Sequence, residues 1–376
     1  DVTQPYSVQK LVHHPEVLQA LRERRHQPPT QIHFMPALAC NQHCQFCFYG
    51  HRTKDDEPDQ FHWKNMALMS DAFMPLAKMR ECVADWQAMG VKAVELTGGG
   101  EPLIYPYVDT FLHLMAGWGA DLGLVTNGTA LTAERADLFA ATRWKWARVS
   151  VDAGTPGTYV ITRRVPRSHW RLAWRAVELL ANRKNHPEQR VGVGYVVDRT
   201  NFDGVYDACR LAVENGADNV RIALAFTPSH LQRFPEGAVE EAADQAKQVA
   251  ADFGGLLQVN DFVNERAGNI QAGAQDYQFC AAKEVLCVVG GDQQVYNCCT
   301  LAFTKKGLVG SIVDKTFRQL WEESAPAFYE HDARKICNVP CLYEQRNRAA
   351  LNLLGLSTEE VSQLASRDAA IHRNFI

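Results

Sequence analysis

Six short apolar runs, rich in β-branched residues, recur between residues 31 and 226 with helix-like stretches between them. They are "QIHFMPAL" (31–38), "VKAVELT" (91–97), "DLGLVTN" (121–127), "WARVSVD" (146–152), "RVGVGYVV" (190–197) and "NVRIALA" (219–225). Short runs of this kind read as parallel strands covered on both faces. The stretches "DAFMPLAKMRECVADWQAMG", "LTAERADLFAAT" and "NFDGVYDACRLAVENG" have helical character, and "PEGAVEEAADQAKQVAADFGG" (235–255) reads as a sixth crossover helix ending in glycine. Successive βα units predict a parallel α/β domain, either an open sheet or a partial barrel. In such folds the chemistry collects at the C-terminal ends of the strands.

A chain of 376 residues with 46% hydrophobic content can bury a large core. Its formal charge of −4 gives no global reason to expect a polyanionic partner. No run of 18 apolar residues appears, and "DVTQPYSVQKLVHHPEV" lacks the basic start and apolar middle of a signal peptide. A cytoplasmic protein without a membrane span is therefore expected. Within "HHPEVLQALRERRHQPP" one helix and a polar linker precede the first strand. Eleven cysteines in a chain without an export signal point to metal or redox chemistry rather than disulfides. Cys82 and Cys209 stand alone inside helical patterns and read as small buried hydrophobes.

Three cysteines lie in "ALACNQHCQFCFYG" (37–50): Cys40, Cys44 and Cys47, spaced C-x3-C-x2-C, with Phe46 before the last. The loop follows the first strand directly. The second strand ends in Thr97, Gly98, Gly99, Gly100, Glu101 and Pro102, where glycines let a backbone approach a ligand and Glu101 can accept from an ammonium. A structural zinc wants four ligands, and His43, adjacent to Cys44, is badly placed to share its tetrahedron. Three thiolates instead suit a [4Fe–4S] cluster with one iron left for another ligand. An open iron of that kind can chelate an amino and a carboxylate group.

C-x3-C-x-aromatic-C after the first strand, with GGE-P after the second, resembles the radical S-adenosylmethionine (SAM) superfamily. The resemblance implies a partial (β/α)6 barrel in which Cys40, Cys44 and Cys47 hold the cluster and the open iron takes the SAM amino and carboxylate groups. It implies that Phe46 offers its backbone to the adenine and that Gly98, Gly99, Gly100 and Glu101 hold the methionyl amine. Asn127, Ser150 and Arg221 become candidate SAM contacts. A flavodoxin- or ferredoxin-type reductant is implied as partner. Reductive cleavage of SAM would give methionine and a 5′-deoxyadenosyl radical that takes hydrogen from an unactivated C–H.

The last hundred residues hold Cys280, Cys287, Cys298, Cys299, Cys337 and Cys341. "CAAKEVLCVVGGDQQVYNCC" reads as two strands joined by a GGD turn. With "VGSI", "FRQLWEE" and "CNVPC" in order, the region resembles the SPASM and twitch extensions of radical SAM enzymes. That implies one auxiliary [4Fe–4S] cluster on Cys280, Cys298, Cys337 and Cys341. Cys287 lies mid-strand and reads as core. Cys299 alternates to the face opposite Cys298 and is either a core residue or a substrate-side thiol, a candidate catalytic group. The expected organisation is an N-terminal helical extension (1–30), a radical SAM core (31–255), a SPASM/twitch-type domain (256–345) and a helical tail (346–376).

The substrate is less legible. "ITRRVPRSHWRLAWRAVELLANRK" (161–184) has seven Arg or Lys against one Glu, with two Trp. Read as a phosphate-contacting surface, it offers Arg163, Arg164, Arg167 and Arg171; read plainly, it is a basic amphipathic helix. Trp170 and Trp174 sit at helical spacing and read as core. The leading expectation is isomerisation or oxidation of a nucleotide or of a modified base in nucleic acid, such as a hypermodified thymine side chain in phage DNA. Its alternatives are maturation of a ribosomal peptide, dehydrogenation of an amino sugar or other metabolite, and a non-catalytic iron–sulfur or zinc protein.

Overall fold

The computed structural model describes residues 4–49, 72–225, 234–264, 275–325, 332–337 and 341–376. The six expected strands form: β1 (Gln31–Met35), β2 (Ala93–Leu96), β3 (Asp121–Thr126), β4 (Trp144–Ser150), β5 (Arg190–Val197) and β6 (Asn219–Leu224). Each pairs in parallel with the next, and β7 (Gln258–Asp261) adds in parallel to β6. A helix lies in each crossover, from Leu76–Met89 between β1 and β2 to Ala238–Phe253 between β6 and β7. Gly90 and Gly119, both at positive φ, end the first two of these helices, as left-handed caps require. The helices bury Trp86, Phe111, Phe139 and Val177 against the outer face of the sheet in one continuous core.

The hairpin expected in the cysteine-rich region is present as β8 (Leu286–Gly290) and β9 (Gln294–Tyr296), with β10 (Leu308–Ser311) beyond. Its first strand does more than form a hairpin. β8 runs parallel to β1 from Gln31↔Leu286 to Met35↔Gly290, giving one ten-stranded sheet in the order β10-β9-β8-β1-β2-β3-β4-β5-β6-β7. A partial barrel leaves its first and last strands as open edges, and β8 and β7 cover them. Cys287 is fully buried in β8 opposite Ile32; Cys82 and Cys209 are fully buried in helices.

The last residues are not helical. After the helices Glu344–Leu354 and Thr358–Arg367, the chain passes beneath the N-terminal ends of the strands. Lys10 Nζ donates to the Phe375 carbonyl at 2.9 Å, Asn374 Nδ2 donates to Asp121 at 2.7 Å, and the Phe375 ring packs on Trp146. This segment fills the mouth of the barrel opposite the cysteine loop. No helix among the described residues is long and apolar enough to cross a membrane.

Candidate active site

The cysteine loop leaves β1 at the C-terminal rim and is pinned from two sides. The His43 amide donates to the Arg163 carbonyl and the Gln45 amide to the Thr162 carbonyl, each at 3.1 Å. Cys40, Cys44 and Cys47 are all half-buried and lie within electrostatic reach of one another. Burial pushes the Cys40 and Cys44 thiols up to about 12; the Glu101 charge adds to the rise at Cys40, and the Arg163 guanidinium opposes it at Cys44. The local field therefore keeps these thiols protonated, and iron itself must displace the protons. Three thiols on one rim loop fit a cluster with an open iron. Phe46 is half-buried in the same loop.

The glycine run packs directly on this loop. The Gly100 amide donates to the Ala37 carbonyl at 3.0 Å and the Glu101 amide to the Ala39 carbonyl at 2.9 Å. A Cβ on Gly100 would overlap the Ala39 carbonyl, one residue before Cys40, and a Cβ on Gly98 would overlap the Gly100 carbonyl. Gly100→Val is expected to force the two segments apart, costing about 1–3 kcal/mol as overpacking does. Thermal unfolding and iron content should fall together; a variant with wild-type values for both would contradict this packing.

Glu101 has a structural task that the sequence did not reveal. Its carboxylate is 2% exposed and accepts from Thr126 Oγ1 at 2.5 Å, the Asn127 amide at 2.7 Å and the Leu103 amide at 3.0 Å. With those bonds made, it ties the end of β2 to the end of β3, and Oε2, with one bond, keeps room for a further donor. Burial raises its pKa and the three donors oppose that rise. Asn127 Nδ2 donates to Asn41 Oδ1 at 2.8 Å and so reaches the cysteine loop. Ser150, half-buried, ends β4 on the same rim.

The basic segment requires a correction. Arg163 is not a surface cation: its side chain is 3% exposed and pairs with Asp152, itself 1% exposed. It also donates to the Val151 carbonyl and, at 2.5 Å, to Gln42 Oε1 inside the cysteine loop. Charge counting suggested a phosphate contact, but each of the three guanidinium nitrogens donates to the protein inside a buried site. Arg164 caps a helix at positive φ; Arg164, Arg167 and Arg171 are exposed and do not line the barrel interior. Trp170 and Trp174 are core residues.

Cys280, Cys298, Cys337 and Cys341 line one small cavity beside Tyr277 and Lys283. Burial raises all four thiols, Cys337 to about 12, and Cys341 feels both Cys280 and Cys337. Four thiols around a void fit a cube-shaped cluster, which sets its ligands wider apart than a single ion does. Among the described residues no group of three His, Cys, Asp or Glu is arranged to hold one metal ion. Cys299, next in sequence to Cys298, faces a different space: its Sγ lies 3.5 Å from the Tyr343 hydroxyl, on the wall of the barrel interior. Tyr49 links the two regions, its hydroxyl donating to the Cys299 carbonyl at 3.2 Å.

A recess in the barrel interior opens near the rim. It begins at Thr97, Gly98 and Tyr49 and runs inward past Cys299 and Tyr343. Several of its residues went unread in the sequence: His33, Glu95, Arg148, Asn219 and Arg346. Tyr343 Oη lies 3.2 Å from His33 Nε2, and His33 Nδ1 lies 3.7 Å from Glu95. The missed signal was parity. His33, Glu95, Arg148 and Asn219 are polar residues in largely buried strands, as in "QIHFM", "AVEL" and "WARVS", and such residues face a lumen; Arg346 lies on the helix Glu344–Leu354 and left no such trace. Arg221, read as a SAM contact, faces the same space.

Residues 35–212 match the family model described as the radical SAM superfamily. A curated relative, the S-adenosylmethionine-dependent nucleotide dehydratase of the Thermoplasmatales archaeon (strain ISO4-H5), is 32% identical over 93 residues, 25% of this chain. The match spans only 27% of that relative's length. Among solved structures, Streptococcus suis SuiB bound to the precursor peptide SuiA is similar, with a TM-score of 0.60 at 12% identity, over 89% of this chain and 76% of that one. SuiB bound to S-adenosylmethionine has the same TM-score and identity over 92% and 78%. At 12% identity this likeness shows the fold alone.

Proposed function

Because residues 35–212 make this chain a member of the radical SAM superfamily, we propose that it takes a hydrogen atom from a nucleotide-class small molecule enclosed in the barrel. The observation that carries this reading is the single recess that starts at Thr97 and Gly98, against the cysteine loop, and ends beneath the auxiliary region at Cys299 and Tyr343. A reacting carbon held there lies between the two sets of cysteines. The name of the archaeal relative supports the nucleotide class. The arginine surface does not support a polymer path, since Arg164, Arg167 and Arg171 stand outside the recess.

SAM bound to the open iron supplies, on one-electron reduction, the 5′-deoxyadenosyl radical that this chemistry uses. The chain's own part is to hold, align and exclude. Cys40, Cys44 and Cys47 hold the first cluster. The backbone from Gly98 to Glu101 receives the methionyl amine, kept in place by the Glu101 side-chain bonds to β3. Asn127 and Ser150 complete the SAM rim. The C-terminal segment closes the far mouth of the barrel and keeps water from that end, which a reactive carbon radical requires. An external low-potential reductant supplies the electron.

Cys280, Cys298, Cys337 and Cys341 hold an auxiliary [4Fe–4S] cluster in this reading. Anaerobically reconstituted protein is then expected to carry about eight irons, and a variant with Cys298 and Cys341 both changed to Ala about four. Iron and acid-labile sulfide analysis checks this. A wild-type content of about four irons, unchanged in that variant, would remove the auxiliary cluster.

A further inference from the structure

We infer that the inner part of the barrel recess binds a phosphoryl group of the substrate, cradled between Arg148 on β4 and Arg221 on β6. The inference rests on the enclosed-substrate reading above and adds to it where the charged end of the substrate sits.

The cradle follows from register. Arg148 pairs with Gly192 on β5, and Arg221 pairs with Gly194 two residues further along the same strand. Both arginines thus point into the lumen, two strands apart, roughly 10 Å at the backbone. Between them, that strand presents Gly192 and Gly194 inward. A Cβ at Gly194 would come within 3.5 Å of Arg148 Cδ, and one at Gly192 would press on Asn219 Oδ1 at 2.5 Å. The missing side chains let Arg148 lie over Gly194, the register partner of Arg221, and Asn219 lie over Gly192, so that these polar groups gather on one wall of the lumen. Each guanidinium rests on an aromatic ring that fixes its plane: Arg148 over Trp146 at 5.6 Å and Arg221 over Phe262 at 5.2 Å. Planar guanidiniums held this way suit paired bonds to phosphate oxygens.

Two further observations point to a ligand. Among the described lining residues Glu95 is the only acid, against Lys10, Arg148, Arg190, Arg221 and Arg346. Lys10 donates to the Phe375 carbonyl and Arg190 to the Pro187 and Gln189 carbonyls. Arg148 donates to the Tyr6 hydroxyl at 3.4 Å and Arg346 to the Ile376 carbonyl at 3.1 Å. With five cations against one acid, the described lining is positive overall, as a phosphoryl anion requires. Asn219 is the second observation. It is 4% exposed, lines the recess level with Arg148, and its Oδ1 has no hydrogen-bond partner. Gln31 Oε1, on the same wall, is likewise unpartnered. Buried acceptors without donors are costly. A ligand that carries hydroxyl or amino donors beside its phosphoryl group satisfies them.

The test is calorimetric titration of anaerobically reconstituted full chain with SAM present, using nucleoside monophosphates, the matching nucleosides, ribose 5-phosphate and inorganic phosphate as probes. At least one phosphorylated probe is expected to bind about tenfold or more tighter than its unphosphorylated counterpart. Arg148→Met and Arg221→Met should each weaken that binding about ten- to a hundredfold, with Arg148→Lys and Arg221→Lys between. Iron content identifies folded variants, and the Lys forms keep the test valid if a Met form fails to fold. Changing both surface residues, Arg167→Glu with Arg171→Glu, should leave binding unchanged. Tight binding of ribose 5-phosphate without any nucleotide would keep the cradle and overturn the nucleotide class. Equal affinity for nucleoside and nucleotide, or affinity that ignores both cavity arginines, would overturn the cradle. Wild-type SAM cleavage, measured on the same preparation, reports separately on the radical reading.

Discussion

Changing any one of Cys40, Cys44 or Cys47 to Ala is expected to abolish 5′-deoxyadenosine formation from SAM and to remove about four irons. Three thiolates are the smallest set that leaves one iron of a cube open, so no member of the set is spare. Burial pushes the Cys40 and Cys44 thiols up to about 12, and iron binding displaces their protons. Reconstitution under anaerobic conditions followed by iron analysis and chromatography of the products checks the outcome. Cleavage that survives in any of the three variants would contradict the cluster assignment.

The second large effect is expected at Arg163. Arg163→Met strands the Asp152 carboxylate in a site 1% exposed, removes the bond to Gln42 and releases the cysteine loop from β4. Breaking one side of a buried ion pair costs about 3–5 kcal/mol. Asp152 keeps only its bond from the Val196 amide, at 2.5 Å, which does not neutralise a buried charge. Thermal unfolding and iron loading should both drop, and adding Asp152→Asn to the same chain should restore much of the stability. A single variant within about 0.5 kcal/mol of wild type, the range of ordinary surface changes, would show that Arg163 is a surface cation after all.

What the sequence made legible was local. The strand runs, the crossover helices and the C-x3-C-x2-C loop depend on periodicity and short spacing, and the six strands stand where those signals put them. The pairing of β8 with β1 was not legible, because it joins residues more than 250 positions apart and answers an edge that only the assembled sheet creates. Arg163 was misread for a related reason. Composition sees seven cations in one segment but not that one of them turns inward to meet Asp152, eleven residues earlier. Glu101 likewise carries the family spacing, while its three donors come from two different strand ends. The inward residues Arg148, Asn219 and Glu95 left a readable trace, a polar side chain in a buried strand. That trace becomes a site only when β2, β4 and β6 are placed around one lumen.

Hydrogen abstraction from an enclosed nucleotide-class substrate leaves a mark on the 5′-deoxyadenosine formed. Its most direct test is the mass of 5′-deoxyadenosine formed by reduced, anaerobically reconstituted protein with SAM and a pool of uniformly carbon-deuterated nucleoside phosphates. The account predicts deuterium in the recovered 5′-deoxyadenosine and none with the matching unlabelled pool. Abundant 5′-deoxyadenosine that stays unlabelled across the whole pool would contradict it.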